Sequence, residues 1–419
     1  MIKWITQNLG TAAWDQLGNR SGIEVVDVRN MVDKQGNRRE DVLAVVEDAV
    51  EFLRQGKRVV VCCDYGMSRS NAVAAGALAL HLKLSFGDAV REVIRATGEQ
   101  EIKPEVLSVI EDAISQQIGP ALFSAPEDRK CVLITGGSGF IGKRLIERLK
   151  KSRTMVAPSR SEADLTKGSA ELSLLLKKHQ VSQLVHLASP RIYNSNAAMG
   201  PMVVALKNVI DACRLQRVKI LFVSSWEIYS GYRSQSLLAN ESIPANPKGQ
   251  YGIAKWLCER MLEQEKLSYP DFDYGIVRFA PLFGVGSDKP RFIHRFIDLA
   301  RRGDTIVTHR YLNSLPILDL THIDDAVSAL TLILGSSFSA VYNIGGGYGV
   351  STTEVAEIIT EHMGSRSRII HQEIEEYAPN IVMDSTRART VLGWQPEANL
   401  KLELQKIIAA STGKGANGE

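Results

Sequence analysis

Three short stretches of this sequence carry residues whose types and spacing suit chemistry. In Tyr251-Gly252-Ile253-Ala254-Lys255 a phenol and an ammonium stand four residues apart, on one face of a helix. The cation lowers a phenol pKa that is ordinarily about 10. Hydride transfer at a carbinol carbon needs a matched proton donor or acceptor, which such a couple can supply, and Lys255 can also hold a nicotinamide ribose. Ser225, just past the apolar run 220–223, can hydrogen-bond the substrate oxygen. The second stretch is Thr135-Gly136-Gly137-Ser138-Gly139-Phe140-Ile141-Gly142. Glycines at 136, 139 and 142 permit a tight turn, close backbone approach to a pyrophosphate, and helix–strand packing. The third is Cys63-Asp64-Tyr65-Gly66-Met67-Ser68-Arg69-Ser70. A loop whose N–H groups converge at a helix N-terminus is an anion cradle. The same field makes Cys63 a thiolate nucleophile; Arg69 then grips two phosphate oxygens, and Ser70 assists departure of the thiolate.

These stretches need elements to hold them. The glycine turn follows the apolar run 131–135 and opens a helix. From there strand and helix alternate: strand 131–135, helix 141–151, strand 153–157, helix 169–178, strand 182–186, helix 201–215, strand 219–223. That alternation predicts an α/β fold, a Rossmann-type doubly wound parallel sheet with helices on both faces. Upstream, a strand over 23–28, a helix over 39–55, a strand over 58–62 and a small-residue helix over 67–82 predict a separate small α/β domain. Helical patterning over 104–117 gives way to Gly119, Pro120 and Pro126, which suit a linker. The expected organisation is a first domain over 1–118, a linker over 119–129, a larger domain over 130–412 and a disordered tail over 413–419.

Composition bounds the function. The chain has 419 residues, 44% apolar and 23% charged, enough for two packed cores. Fifty basic against 47 acidic residues leave a net charge of +3, which gives no footprint for nucleic acid. The five cysteines are scattered without metal spacing. No stretch approaches a membrane span and the first residues lack an apolar signal region, so a cytoplasmic protein with no metal is expected.

Cofactor preference is read at the second strand, which ends in Pro158-Ser159-Arg160. No carboxylate stands there to take the adenosine ribose hydroxyls, while Arg160 suits a 2′-phosphate. That favours NADP(H) over NAD(H). Asp164-Leu165-Thr166 is placed for the adenine edge, and Leu187 and Ala188, ending the next strand, line the cofactor. His186 beside them reads as a core histidine.

With TGGSGFIG (135–142), DLT (164–166), VHLAS (185–189), FVSSWEIYSG (222–231), YGIAK (251–255), VRFAPLFGVG (277–286) and HIDDAV (322–327) in this order, residues 130 to about 410 resemble an extended short-chain dehydrogenase/reductase of the NAD-dependent epimerase/dehydratase superfamily. The resemblance implies Tyr251 as general acid/base, Lys255 as its partner, Ser225 as the hydroxyl that polarises the substrate, and a substrate lobe from about residue 280. It implies a nucleotide-sugar substrate, with Glu227, Arg295 and Arg310 as substrate-binding residues and the two arginines clamping the diphosphate. The 4,6-dehydratases carry Asp-Glu where this chain has Trp226-Glu227, so dehydration is not expected. The pattern is most similar to 4-keto-sugar reductases; 4-epimerases share the same Ser, Tyr and Lys and stay open. Relatives dimerise through two long helices, here roughly 201–215 and 250–266, which implies a homodimer.

The Cys63 loop, with the segment from WITQNLG (4–10) through the following helix, resembles the cysteine-dependent dual-specificity phosphatases. That implies a phosphorylated substrate and a general acid on a preceding loop, Asp33 or alternatively Asp27. The family's His before the nucleophile is here Cys62, which leaves the tuning of the thiolate, and the choice between an active phosphatase and a phospho-ligand-binding module, open.

Overall fold

The computed structural model of the chain describes residues 1–18, 20–118, 131–190, 195–233, 236–287, 289–336 and 340–412. The expected linker 119–129 and tail 413–419 lie outside the described residues. Contacts group the described residues into two compact units, one drawn from 1–118, 159–182 and 204–218, the other from 131–158, 183–203 and 219–412.

The first unit begins with β1 (Lys3–Trp4), β2 (Leu9–Ala13), β3 (Glu24–Asp27), α1 (Arg39–Arg54), β4 (Val59–Cys63), α2 (Arg69–Leu82), α3 (Phe86–Thr97) and α4 (Pro104–Ile118). Its sheet runs β1-β2-β4-β3, antiparallel between β1 and β2 and parallel elsewhere. β4, Val-Val-Val-Cys-Cys, is buried along its length, as a β-branched run in the middle of a parallel sheet should be. Side chains alternate across a strand. Cys63 therefore joins the core of α1 to α4, while Cys62 joins Ala12, Leu17 and Val60 on the other face. α2 is buried from Ser70 to Ala79, and its small residues let the sheet and helices approach it closely.

The remaining elements are β5 (Cys131–Thr135), α5 (Phe140–Leu149), β6 (Thr154–Val156), α6 (Ala170–Lys178), β7 (Val181–His186), α7 (Asn196–Gln216), β8 (Lys219–Ser225), β9 (Leu237–Ala239), α8 (Gln250–Ser268), β10 (Tyr274–Phe279), β11 (Leu282–Phe283), α9 (Arg291–Arg302), β12 (Ile306–Tyr311), β13 (Ile317–Leu318), β14 (Thr321–His322), α10 (Ile323–Gly335), β15 (Val341–Ile344), β16 (Val350–Ser351), α11 (Thr352–Met363), β17 (Ile369–Ile374), β18 (Ile381–Met383), α12 (Thr386–Leu392) and α13 (Leu400–Thr412). The central sheet has the order β15-β10-β8-β7-β5-β6, and its recorded pairings are parallel. Chain order reverses at β5, which puts a topological switch point between the carboxyl ends of β5 and β7. Open α/β sheets bind ligands at that place.

The expected helix over 201–215 begins earlier, at Asn196, with Pro201 inside it. Residues from Phe283 onward build an apolar core of their own from α9, α11 and α13, where the sequence predicts a substrate lobe. α9 shows why: Ile293, Phe296, Ile297 and Ala300 are its buried residues, spaced as one helical stripe.

Candidate functional site

A cleft of about 960 Å³ opens over the carboxyl ends of the central strands of the second unit. Gly136, Gly139, Phe140, Ile141, Gly142 and Leu187 line it together with Ser225, Glu227, Tyr251 and Lys255. The glycine turn carries the chain from β5 into α5. A Cβ on Gly142 would lie 2.5 Å from the carbonyl oxygen of Gly136, so only glycine allows this approach. No side chain caps α5 at Gly139, which leaves its first N–H groups for an anion. Ser138 is not among the lining residues. Ala188 supports the turn from behind, as its N–H donates to Thr135 Oγ1 at 3.3 Å, beside that of Leu187 at 3.2 Å. Because Thr135 Oγ1 accepts both, its own proton goes to His186 Nδ1, 2.9 Å away. Burial, then the nearby Lys255 charge, pushes His186 down to about 3; it is the core histidine expected.

The residues expected to move protons converge in this cleft from two elements, β8 and α8. Lys255 is 4% exposed. Its Nζ donates to the carbonyl of Val223 at 2.7 Å and lies 4.7 Å from the ring centre of Phe222 and 5.6 Å from that of Tyr251. Burial pulls the ammonium down to about 8, with Cys258 and Glu259 opposing. Ser225 Oγ accepts the N–H of Glu227 at 3.2 Å, so its own proton is left to donate to a ligand. Glu227 follows in the cleft; burial raises its carboxyl pKa, and Lys289 opposes that.

Other predicted residues divide. Arg295 lines a second cavity of about 750 Å³ with Arg291, His294 and Arg302, and the two cavities share Ser287 and Arg291. Arg310 lines neither; it stands on β12 facing Glu373 of β17 at 3.7 Å, so of the two expected clamps only Arg295 lines one of these cavities. Arg160 follows β6, exposed, with Nε donating to Asp164 at 3.1 Å. Asp164 Oδ1 also accepts from Thr166 N and Oγ1. The carboxylate is thus engaged within its own turn, and the carbonyl of Leu165 accepts from Asn208 Nδ2 at 2.8 Å.

Comparison with known proteins decides the larger relationship. Residues 132–345, just over half of the chain, match the NAD dependent epimerase/dehydratase family. The chain belongs to this family. Among curated relatives, it is 23% identical over 354 residues to UDP-glucuronic acid decarboxylase 1 of Xenopus tropicalis, across 75% of this chain and 82% of that protein. The solved UDP-glucose 4-epimerase of Thermus thermophilus, in complex with NAD, superposes with a TM-score of 0.59 at 20% identity, covering 68% of this chain and 99% of that one. The structure of RMD from Pseudomonas aeruginosa, complexed with NADPH, gives 0.60 at 18% identity and the same coverage. These likenesses show the fold.

This member of the epimerase/dehydratase family also carries the Cys63 loop, in its first unit. Gly66 turns the loop with φ +69°, and a Cβ there would lie 2.5 Å from Ala13 N. Its N–H donates to Cys63 Sγ at 3.2 Å, and Ser70 Oγ lies 3.4 Å from that sulfur. Burial pushes the Cys63 thiol up, but hydrogen bonds from the Ser70 side chain and the N–H groups of Ser70, Gly66 and Tyr65 outweigh it and hold the pKa below the ordinary value. Cys62, where a His was expected, is pushed up to about 12 by burial and Asp27, so it stays a thiol. Of the two candidate acids, Asp33 meets the loop, accepting from Ser68 Oγ at 2.5 Å. Asp27 is instead held by Arg29.

Two supports were not foreseen. Asn71, fully buried, donates from Nδ2 to the carbonyls of Gly66 and Met67 at 3.3 and 2.6 Å, and Thr11 Oγ1 donates to its Oδ1 at 2.8 Å. In the second unit, buried Glu259 ties Ser224 to Arg278. Asn71 directly follows the motif and carried a faint signal; Glu259, one helical turn after Lys255, carried less. Among the described residues no group of three or more His, Cys, Asp or Glu is placed to hold a metal ion. No described helix is long and apolar enough to cross a membrane.

Proposed function

We propose that residues 130–412 form an NAD(P)-dependent oxidoreductase that reduces the 4-keto group of a nucleotide-linked sugar. The observation that carries the oxidoreductase chemistry is Lys255, a buried ammonium between the Val223 carbonyl and the Tyr251 ring, in one cleft with Ser225 and the glycine turn; the choice of reduction rests on the sequence resemblance. Ser225 donates a hydrogen bond to the keto oxygen, Lys255 keeps the phenol acidic, and Tyr251 delivers its proton to that oxygen as charge builds there. The uncapped start of α5, with Gly136, Ser138, Gly139, Phe140, Ile141 and Gly142, holds the cofactor diphosphate; Leu187 and Ala188 flank it, and the cofactor supplies the hydride when bound. Arg160, exposed and engaged through Nε alone among the contacts described, supports NADP(H) over NAD(H), with Asp164 and Leu165 beside the adenine. Glu227 contacts the sugar, and Arg295 pairs the diphosphate of the substrate; Arg310, tied to Glu373, is the weaker clamp. Trp226 in the place of an acid speaks against dehydration.

The test is NADPH oxidation at 340 nm with a panel of nucleoside-diphosphate 4-keto sugars. Tyr251→Phe should lower kcat at least about 100-fold while NADPH affinity stays within about threefold. Equal turnover by wild type and variant would overturn the assignment.

The held-down thiol of Cys63 supports a second reading, in which residues 1–118 are a cysteine-dependent phosphatase. The Cys63 thiolate attacks phosphorus as the ester P–O bond breaks. Asp33 gives its proton to the leaving oxygen, Arg69 holds the phosphoryl oxygens, and water then breaks the S–P bond while Ser70 donates to the departing sulfur. Hydrolysis of p-nitrophenyl phosphate that is lost in Cys63→Ser supports this; equal background in both leaves a phospho-ligand module.

A further inference from the structure

The loop that follows Cys63 contains one acid, Asp64, and the nucleophile reading assigns it nothing. Its surroundings are otherwise built for an anion. α2 has no side-chain cap, because the Ser68 hydroxyl is turned to Asp33. Asn71 draws the carbonyls of Gly66 and Met67 onto its amide, so these carbonyls are engaged by a donor and are not spare acceptors facing an anion. Arg69 is the charge meant to meet the ligand, yet it is already engaged. Nη1 donates to the carbonyls of Arg29 and Met31 at 3.1 and 2.8 Å, and Nη2 to Asp64 Oδ2 at 2.6 Å. The arginine side chain is 11% exposed and the aspartate 51% exposed, so the guanidinium sits inside and its carboxylate partner stands toward solvent.

We propose that Asp64 sets the affinity of the Cys63 loop: its carboxylate occupies the guanidinium edge of Arg69, and the phosphoryl group of a phosphate monoester enters by displacing it. This rests on the reading of the loop as a phosphate site. The backbone carbonyls on Nη1 fix the arginine in place, so ligand exchange occurs on the Nη2 side without moving the side chain. Asp64, half exposed, swings into water when displaced. Two effects then oppose binding in the wild type. One is loss of a partly exposed ion pair, a contribution of modest size. The other is repulsion between the released carboxylate and a dianion a few ångströms away, softened by solvent. Together they weaken phosphate binding by about tenfold.

The experiment uses the full chain, with p-nitrophenyl phosphate as substrate and inorganic phosphate as competitive inhibitor. Asp64→Asn and Asp64→Ala should each lower the inhibition constant for phosphate about tenfold and lower KM in parallel, with kcat within about threefold of wild type. Asp48→Asn, an exposed carboxylate on α1, should change neither. Added salt should narrow the gap between wild type and Asp64→Asn. If wild type hydrolyses the ester in a Cys63-dependent way but neither variant binds phosphate more tightly, the displacement idea is wrong while the phosphate site stands. If neither wild type nor the variants hydrolyse the ester or bind phosphate, the phosphate site itself falls, and the role of Asp64 with it.

Discussion

Replacing Glu259 probes how the cleft is held together. Its carboxylate is fully buried and meets Arg278, 5% exposed, through Nε at 3.1 and 3.2 Å and Nη2 at 2.6 Å. Ser224 Oγ donates to the same carboxylate at 2.5 Å, and Arg278 Nη1 donates to Tyr229 OH at 2.6 Å. Ser224 and Arg278 are register partners on β8 and β10, and Glu259 lies on α8 one turn beyond Lys255. One ion pair therefore fastens the strand that ends in Ser225 to the helix that carries Tyr251 and Lys255. Glu259→Gln leaves the Arg278 guanidinium buried without a countercharge, which costs about 3–5 kcal/mol. Replacing both partners by methionine removes the pair without stranding a charge and should cost far less. Hydrogen exchange, read on peptides from β8, β10 and α8 in the full chain, reports this locally. A loss of about 3 kcal/mol speeds exchange about 150-fold. The reasoning is refuted if Glu259→Gln exchanges within about threefold of wild type, or if the double methionine variant is as unstable as the single one.

Two further outcomes follow from the same geometry. Burial pushes the Asp319 carboxyl up to about 6, against the N–H groups of Met383, Gly346 and Gly347. A raised carboxyl binds its proton more tightly in the folded state, so its contribution is present below the unfolded value near 4 and is lost as pH rises through 6. Relative to Asp319→Asn, wild type should therefore lose about 1.4 kcal/mol between pH 5 and 8, read by thermal melting; a pH-independent difference would count against it. Gly66→Ala sets a Cβ 2.5 Å from Ala13 N at φ +69° and should abolish Cys63-dependent hydrolysis. Gly22→Ala, with φ +77° and nothing within 4 Å, should cost only about 1–2 kcal/mol and keep activity; equal effects would show that the close contact is unimportant.

The local geometry around the candidate residues of both units was legible because it lies in contiguous stretches. A glycine turn between an apolar strand and a helix, a Tyr and Lys one turn apart, and a Cys and Arg bracketing a tight loop each declare their geometry locally. The parallel sheet was legible from alternation, though α7 starts at Asn196, before Pro201, which reads in sequence as a helix start. What stayed hidden was made by distant residues. Ser224, Glu259 and Arg278 meet only because β8 and β10 pair and α8 packs across them. The Thr135–His186 bond needs β5 and β7 side by side. Nothing in the sequence marks Asp64 as the partner of Arg69, and Arg310 faces Glu373 only because β12 pairs with β17.

The central claim, an exchangeable nicotinamide cofactor serving a reductase, meets its most direct test in the cofactor itself. Purified protein is denatured, any released dinucleotide is identified by mass spectrometry, and the native protein is titrated with NADPH and NADH. The account predicts a site that is largely empty as purified, fills with NADPH more tightly than with NADH, and loses that preference in Arg160→Ala. Recovery of NAD near one per chain, with no uptake of added NADPH, would contradict it and point to an epimerase that keeps its cofactor.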